Sequence, residues 1–418
     1  MKKNGFTLVE ITVCVVLLVT IFLLVVPKVN TMINNKKKNA YNSLISTVKD
    51  AAQAYVYLNV NIVDDAIESQ GYYEVSIRTL QENELLENKL ENPLTGKNIP
   101  STSIVKIIKN NEEYIYKFSL DYQYLLEHII DLYSSEETRT SNGLKKDNTP
   151  DQNIRYYGSD PNNYVSFNNE LWRIIGVFGN NVKLVRSEKL GNLSWDSSES
   201  SINGGFGVNE WSQADLKNYL NTMYYGGTTV TCYGGTKNST TTCPTNILDN
   251  TAKTLIDNHT WNTGAIEYNT RTDTVAFYKD ERGNQTGKIC NGGTFCSDTV
   301  ERTTTWTGYI GLPYPTDYAY ASGENICETN MVKQDSSDAY ICENNNWMFK
   351  SIWYWTLSPF ARSANSRYVW YVNGDGDVNN SNAASGGAVF PAIYLKSNVL
   401  IESGAGTSSN PYILKAGL

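Results

Sequence analysis

Histidine is scarce in this sequence, because the 418 residues include only His128 and His259. A histidine-based catalytic triad is therefore hard to build, and no Cys-x2-Cys pair accompanies the histidines to form a zinc site. A glycine-rich phosphate-binding loop between a strand and a helix is also lacking. Carboxylates are plentiful, but no spacing singles out an acid–base pair. Together these absences predict a protein that is not an enzyme and has no cofactor.

Positive charge is in the minority. Lys and Arg number 35 against 43 Asp and Glu, which gives a net charge of −8 and a pI of about 5.1. Nucleic-acid-binding surfaces are rich in Lys and Arg, because these side chains neutralise phosphates. The acidic balance therefore argues against nucleic acid as a partner.

Long apolar runs are missing from most of the chain, with one exception over residues 6–26. As a helix these residues would extend about 31 Å, which is close to the thickness of a bilayer core. Glu10 interrupts the run, and a carboxylate inside a membrane carries a large energetic cost. Such a cost predicts a function for Glu10, and the lack of a partner within the run suggests that the partner belongs to another chain.

The residues Gly5-Phe6-Thr7-Leu8-Val9-Glu10 follow a short basic segment and resemble the prepilin leader of type IV pilins and pseudopilins. In that family a membrane peptidase cleaves between the Gly and the Phe, the new Phe amine is methylated, and the Glu meets the amine of a neighbouring subunit. The resemblance implies a leader over residues 1–5, cleavage between Gly5 and Phe6, and an assembly role for Glu10. A secretory signal peptide fits less well, since residues 27–30 offer no small-x-small cleavage site. A plain signal anchor would leave Glu10 unexplained.

Six of the seven cysteines lie in one stretch of the C-terminal half, and Cys14 lies inside the apolar run. An even number of cysteines in a loop-rich region suggests disulfides in an oxidising compartment, with a zinc site as the less favoured alternative. The lysines that follow the apolar run, Lys28 and residues 36–38, would by themselves place the bulk of the chain in the cytoplasm. The clustered, even-numbered cysteines are the stronger indication, and they place the bulk of the chain outside the cytoplasm. The simplest pairing joins sequence neighbours: Cys232–Cys243, Cys290–Cys296 and Cys327–Cys342.

The expected fold class is α+β, with a long N-terminal transmembrane helix and a small antiparallel sheet (the pilin fold), followed by a β-rich, disulfide-bonded domain. Residues 6–130 are predicted as pilin helix and head, in which Ser103–Lys109 and Tyr114–Phe118 form a hairpin. Residues 131–153 are polar and are predicted as a linker. Residues 154–418 are predicted as the β-rich extracellular domain. An apolar stripe at helical spacing marks where the head packs on the helix: Tyr41, Leu44, Val48, Ala51, Tyr55 and Leu58.

Within the second domain, Tyr164–Phe167, Leu171–Phe178 and Val182–Arg186 are predicted as a β-meander with asparagine- and glycine-rich turns. A helix is predicted near Trp211, with Ser212 as its N-cap. Four motifs resemble an extracellular domain of Gram-positive-type bacterial surface proteins that often follows a prepilin leader and is similar to C-type-lectin-like folds. Phe390 stands where that family has Arg. The motifs are Leu171-Trp172-Arg173-Ile174-Ile175-Gly176, Thr356-Leu357-Ser358-Pro359, Phe390-Pro391-Ala392-Ile393-Tyr394-Leu395 and Gly404 to Tyr412.

Two features of this domain have competing interpretations. Asp375, Asp377 and Asn379 alternate oxygen ligands as calcium loops do, but Asn-Gly and Asp-Gly between strands also make tight turns, and the turn is favoured. A late group of tryptophans could stack on sugars or fill a core, and the core is favoured. The group consists of Trp347, Trp353, Trp355 and Trp370.

The sequence as a whole predicts a minor type IV pilin-like subunit, for example at the filament tip, because the large appended domain is bulky for a densely stacked major subunit. The expected partners are other pilin subunits, the prepilin peptidase and assembly machinery, the membrane, and a surface glycan or protein ligand. The expected location is the bacterial cell membrane before assembly and an extracellular filament afterwards. The alternatives are a pseudopilin of a type II secretion or DNA-uptake system and a surface hydrolase displayed on the pilus.

Overall fold

The chain divides into two compact units, Met1–Gln123 (unit 1) and Tyr124–Leu418 (unit 2). The structure is a computed structural model. It describes residues 36, 39–93, 98–110, 113–118, 123–267, 273–283, 302–332, 337–361 and 366–417.

The fold class predicted from the sequence is corrected in one respect. The described residues contain no helix that is both long enough and apolar enough to cross a membrane. The predicted span, residues 6–26, lies outside the described residues. The described residues form a mixture of helices and several sheets, with two disulfides among them.

In its described part, unit 1 combines helices with a three-stranded antiparallel sheet. Gly71 ends the second helix, because its left-handed φ of +85° lets its N–H bond to the Ile67 carbonyl at 2.8 Å. The predicted hairpin is confirmed, although its turn residues 111 and 112 lie outside the described residues. The elements are α1 (39–58), α2 (Val60–Gln70), β1 (Tyr73–Ser76), α3 (Ile77–Glu82), β2 (Ile104–Asn110) and β3 (Glu113–Phe118), with sheet order β1-β2-β3.

The core of unit 1 forms where α1 packs on the sheet. Val48 and Ala52 of α1 are fully buried with Val105 and Ile107 of β2. The predicted stripe is therefore correct at Val48, but it fails at Leu58, whose side chain is 66% exposed. The stripe shifts because the helical direction changes at a bend after residue 58, where α1 gives way to α2.

Unit 2 begins with a short strand and two helices and continues as a β-rich fold. Its helices are α4 (Leu125–Ser134), α5 (Glu136–Ser141), α6 (Asp215–Asn218), α7 (Asn250–Leu255), α8 (Thr274–Glu281), α9 (Pro315–Ala321) and α10 (Ile326–Thr329), with a π-helical segment over Tyr219–Tyr225 and 3-10 turns over Asn203–Gly205, Trp211–Gln213 and Ser337–Glu343.

Twenty strands of unit 2 are formed by the described residues. They are β4 (Gln123–Tyr124), β5 (Leu144–Lys146), β6 (Ile154–Tyr156), β7 (Tyr164–Phe167), β8 (Glu170–Phe178), β9 (Asn181–Arg186), β10 (Asn192–Ser194), β11 (Cys232–Tyr233), β12 (Thr240–Thr241), β13 (His259–Asn262), β14 (Ile266–Glu267), β15 (Thr305–Gly308), β16 (Ile310–Gly311), β17 (Tyr354–Ala361), β18 (Tyr368–Val372), β19 (Val378–Asn382), β20 (Gly386–Ala388), β21 (Ala392–Leu395), β22 (Val399–Ser403) and β23 (Tyr412–Ala416).

Among the described residues, two sheets account for most of these strands. The larger follows the order β16-β21-β9-β8-β7-β23-β22-β4, and β6 joins it through β8 while β5 pairs with β6. The smaller follows the order β10-β20-β17-β18-β19, with β14 beside β17. In the larger sheet, the last strand β23 runs parallel to β7, pairing Tyr412 with Val165. His128 of α4 bonds to the same tyrosine, with 2.9 Å between its Nε2 and the Tyr412 hydroxyl.

The predicted β-meander is confirmed as β7, β8 and β9. Asn168 and Asn169 both have a φ of +56°, the left-handed geometry that a tight hairpin turn requires. The predicted helix near Trp211 begins later than expected, because Ala214 occupies the N-cap position of α6. Ser212 instead donates its hydroxyl to Glu210 Oε1 at 2.7 Å.

Residues 131–153, predicted as a linker, are folded. They contain the end of α4, all of α5 and strand β5, which pairs with β6. The physical reason is a buried carboxylate that the polar composition conceals. Asp147 is 4% exposed and accepts hydrogen bonds from Arg155 Nε at 2.7 Å, the Thr149 hydroxyl at 2.6 Å and Asn153 Nδ2 at 3.0 Å. These bonds hold the segment against the sheet.

Candidate functional site

The residues predicted for processing and assembly, Gly5, Phe6 and Glu10, lie outside the described residues. Cleavage after Gly5 and the role of Glu10 therefore stay predictions.

Unit 1 carries a group of exposed apolar side chains around the junction of α1 and α2, which we call the apolar edge: Tyr57, Leu58, Val60 and Ile62. Their exposed fractions are 85%, 66%, 43% and 59%. A groove of about 330 Å³ adjoins this edge and continues across the outer face of β3, where Tyr114 and Tyr116 line it. Single exposed apolar residues are common on protein surfaces, but a contiguous group marks a contact surface.

Two of the three predicted disulfides are confirmed. Cys232 pairs with Cys243 and Cys327 pairs with Cys342, each with a Cα–Cα distance of 5.3 Å. Cys327 and Cys342 are both fully buried, whereas Cys243 is partly exposed. The third predicted pair, Cys290–Cys296, lies outside the described residues.

The segment with the weak calcium pattern forms the turn between β18 and β19. Gly376 has a φ of +91°, and the Asn373 N–H donates to the Asp377 carbonyl at 2.8 Å. The Asp377 carboxylate is buried and accepts bonds from Asn373 Nδ2 at 2.9 Å and Asn379 Nδ2 at 3.4 Å. Asp375 is exposed. The segment therefore forms a tight turn, and calcium binding there stays a hypothesis. Across the described residues no cluster of three or more His, Cys, Asp or Glu is suited to hold a metal ion.

The late tryptophans mainly fill the core. Trp355 and Trp370 are fully buried, and Trp347 is 4% exposed with its indole N–H donated to the Tyr156 carbonyl at 2.9 Å. Trp353 is partly exposed and packs edge-on against Trp355. The core interpretation is thus correct for three of the four, and no exposed stacking platform is formed by them.

A cationic cleft on unit 2 was not predicted from the sequence. The Arg173 guanidinium lies between two aromatic rings, 3.7 Å from the centre of the Tyr164 ring and 4.9 Å from that of Trp347. Two further cations face the same cleft, and one of them, Lys350, has its ammonium 5.7 Å from the Phe390 ring centre. The cleft is lined by Arg173, Val185, Arg186, Trp347, Met348, Lys350, Tyr354 and Phe390.

The electrostatics of this cleft favour an anionic group. Arg186 is neutralised by Glu170, with its Nε 2.8 Å from Glu170 Oε2. Arg173 has a weaker partner, since Asp160 is 3.4 Å away and its side chain is 62% exposed. No carboxylate of the described chain forms a salt bridge with Lys350, and burial lowers the pKa of its ammonium to about 8. The free volume is about 10 Å³, which is room for roughly one water. The cleft therefore has room for one ligand atom, such as a carboxylate oxygen, and not for a whole sugar ring.

The two histidines lie apart from this cleft. His128 is bonded to Tyr412, and burial lowers the pKa of its imidazole to about 4. His259 stacks on Tyr394 with 3.7 Å between ring centres, and its Nδ1 lies 3.1 Å from Asp257 Oδ2. Burial lowers its pKa, although Asp257 acts in the opposite direction. A His–Asp pair therefore exists, but the described contacts bring no serine or cysteine nucleophile to it.

Sequence reasoning missed the cleft because Arg173 was taken only as part of an apolar motif. The signal was present: β8 and β9 are buried strands, and a cation in a buried strand must be paired or must line a site. Lys350 gives no comparable signal, because it lies outside the regular elements and only the fold brings it to Arg173.

The chain matches no protein-family model, and neither a curated protein nor a solved structure is significantly similar to it.

Proposed function

We propose that the chain is a minor subunit of a bacterial surface filament of the type IV pilin kind, and that it displays unit 2 as a recognition domain. The subunit would be processed between Gly5 and Phe6 and would assemble with other pilin-like subunits through Glu10. The observation that carries this proposal is the leader-like Gly5 to Glu10 segment ahead of a unit in which one helix packs on a three-stranded antiparallel sheet.

The apolar edge supports assembly with neighbouring subunits. Tyr57 and Leu58 are among the most exposed large apolar side chains of the described chain. Burying such side chains in a contact removes them from water, at about 25 cal/mol per Å² of apolar surface. A filament of repeated subunits supplies that contact.

The cationic cleft supports recognition of an acidic ligand. The chain has a net charge of −8, so three cations around one aromatic cleft run against its overall charge. One carboxylate oxygen of a surface glycan or protein would fit the small free volume beside the Lys350 ammonium, which has no salt-bridge partner in the described chain and is acted on by the charge of Glu188. The absence of a nucleophile beside His259 in the described contacts makes a displayed hydrolase the weaker alternative.

The first experiment is intact-mass and N-terminal peptide analysis of the native protein, together with labelling of intact cells. A chain that begins at N-methylated Phe6 and labels extended filaments is the expected result. Gly5→Val should keep the leader, while the matched variant Glu10→Val should be cleaved but absent from filaments. A native chain that begins at Met1 would overturn the proposal. Correct processing with loss of secretion or DNA uptake, and no filament, would favour a pseudopilin.

Recognition is tested by binding of the full chain to acidic and neutral glycans. Lys350→Gln should weaken acidic-glycan binding by about tenfold or more, since a hydrogen bond to a charged group is worth about 1.5–3 kcal/mol. Lys396→Gln is the control, because Lys396 is an exposed lysine outside the cleft. Equal binding by the two variants would remove the cleft from the proposal, and turnover of the glycan would favour the hydrolase.

A further inference from the structure

Unit 2 contains a buried Lys–Asp contact deep in its core. The Lys183 ammonium, on β9, is completely buried and lies 2.6 Å from Asp317 Oδ2, on α9. The other Asp317 oxygen, Oδ1, accepts a hydrogen bond from Arg155 Nη1 at 2.7 Å. The side chains of Lys183 and Asp317 have no solvent exposure. Amine nitrogen and carboxyl carbon are thus held together by the fold, with water excluded from both.

Aromatic rings enclose the amine. The Lys183 Nζ lies 4.1 Å from the centre of the Tyr314 ring, 5.3 Å from that of Tyr394 and 5.4 Å from that of Trp261. The ring faces attract a cation, but burial away from water disfavours the ammonium ion and lowers the pKa of Lys183 to about 8, although Asp317 acts in the opposite direction. The amine is therefore closer to its neutral, nucleophilic form than an exposed lysine.

A second carboxyl group belongs to the same centre. Glu281, the last residue of α8, is fully buried, and its carboxylate accepts the hydroxyl of Thr316 at 3.1 Å, next to Asp317 in sequence. Burial raises the pKa of Glu281 to about 7, against the lowering effect of Arg282, whose Nη1 lies 3.2 Å from Glu281 Oε2; the charges of Asp317 and Lys183 act on it as well. Its pKa therefore lies near neutral pH, where a carboxyl group can both accept and return a proton.

We propose that Lys183 and Asp317 condense to an intramolecular isopeptide bond. A proton first passes from the Lys183 ammonium to Asp317 Oδ2, 2.6 Å away, because the pair begins ionised. The freed Nζ lone pair then attacks Cγ of Asp317, the bond between Cγ and Oδ2 breaks, and an amide bond forms. Of the three protons of the starting ammonium, one stays on the amide nitrogen and two leave with Oδ2 as water. The positive and negative charges of the pair cancel, so no oxidant, reductant or other reactant is needed.

The neighbours suit this reaction. Oδ1 remains as the amide oxygen, and the Arg155 guanidinium that already donates to it stabilises the negative charge that develops there during attack. The proton that Nζ loses moves to Oδ2, 2.6 Å away, and the buried Glu281, whose charge acts on Lys183, assists that transfer. The link would join residues 134 positions apart and fasten α9 to the larger sheet. The inference does not depend on the proposed filament function, because it uses residues of unit 2 alone.

The decisive measurement is the intact mass of the purified full chain after its disulfides are reduced and alkylated. We expect a mass one water below that calculated for the same chain with its determined N-terminus and its alkylated cysteines. Trypsin should not cleave after Lys183, and fragmentation should identify peptide 174–186 joined to peptide 303–333 through Lys183 and Asp317. An unmodified mass, or a water loss assigned to other residues, would overturn the proposal. This result needs no variant, so a variant that fails to fold does not weaken it.

Three variants sharpen the assignment. Asp317→Asn should form the same link with loss of ammonia instead of water, and this outcome is specific to chemistry at residue 317. Lys183→Arg should have the unmodified mass, because its guanidinium stays protonated. Glu281→Gln should slow the linkage in newly synthesised chain by about 100-fold or more, the usual scale of proton-transfer catalysis. An unchanged rate would remove Glu281 from the mechanism. A folded Asp317→Asn chain whose mass shows no loss of ammonia would contradict the link.

Discussion

Replacing Asp147 with asparagine tests whether a buried charge holds the N-terminal segment of unit 2 in place. The Asp147 carboxylate accepts bonds from Arg155 Nε, from the backbone and side chain of Thr149, and from the backbone and side chain of Asn153. An amide of the same shape removes the charge and turns one acceptor into a donor that faces other donors. Asp147→Asn therefore leaves Arg155 bonded to Asp317 Oδ1, which is a carboxylate oxygen before the proposed link forms and an amide oxygen after it.

The expected loss of stability is about 3 kcal/mol. Breaking a buried ion pair by removing one partner costs about 3–5 kcal/mol, because the remaining charge stays buried without compensation. The lower end applies here, since Asp317 Oδ1 still contacts Arg155 at 2.7 Å. A surface ion pair, by contrast, is worth about 0–1 kcal/mol.

Tryptophan fluorescence measures this effect in the full chain. All nine tryptophans belong to unit 2, so their emission during urea unfolding reports that unit alone. Asp160→Asn is the matched control, because its partner Arg173 is 3.4 Å away and its side chain is 62% exposed. Equal unfolding midpoints for the two variants would refute the reasoning that Asp147 anchors this segment.

The effect should depend on pH. Burial raises the pKa of Asp147, but Arg155 and the hydrogen bonds outweigh burial and hold it below its usual value. A carboxyl group with a lowered folded-state pKa stabilises the fold above its unfolded pKa of about 3.9 and loses that contribution as the pH falls through the folded value. The wild type and Asp147→Asn should therefore differ fully at pH 7 and converge in strong acid.

Three further predictions concern other parts of unit 2. Replacing Cys327 and Cys342 with alanine should lower the free energy of unfolding by about 3 kcal/mol, because the disulfide closes a loop of 15 residues. When the native chain is reduced, mass-mapped thiol labelling should show the thiol of the partly exposed Cys243 before those of the buried Cys327 and Cys342. Simultaneous labelling of these thiols would contradict the difference in burial. Burial raises the pKa of Asp196 to about 7. This carboxyl group therefore stabilises the fold below its unfolded pKa of about 3.9 and loses that contribution as the pH rises to about 7. Asp196→Asn should flatten the fall in the unfolding midpoint between these pH values, and an unchanged slope would show that Asp196 does not cause it. Calcium added to a metal-free sample should leave the unfolding midpoint unchanged, because Asp377 is already bonded to two asparagine amides, whereas a rise would support the calcium hypothesis.

The local parts of the fold could be predicted from the sequence. The strands of the meander are short apolar runs bounded by turn residues, and Asn168 and Asn169 mark its first turn, so the local pattern predicts the hairpin. The pairing of sequence-neighbouring cysteines is local in the same sense, and both pairs that the structure describes agree with it.

Non-local features could not be predicted in this way. Asp147 is one polar residue in a polar segment, and nothing nearby in sequence indicates that Arg155 and Asp317 converge on one buried centre. The cationic cleft has the same origin, because Arg173 and Lys350 are far apart in sequence and meet only in the fold. Long-range pairing of charges has no periodicity, so a periodic pattern cannot reveal it.

The parallel pairing of β7 with β23 determines when unit 2 can finish folding. Strand β7 is made early, yet its neighbour on one side is the last strand of the chain. During synthesis, the edge of β7 at Val165 therefore stays unpaired until Tyr412 has been made. His128 of α4 also lacks its hydrogen-bond partner until then, because that partner is the Tyr412 hydroxyl. Pairing over such a separation is slow, and the open strand edge is exposed to wrong partners meanwhile. A growing chain of this protein thus carries an incomplete sheet until Tyr412 has emerged.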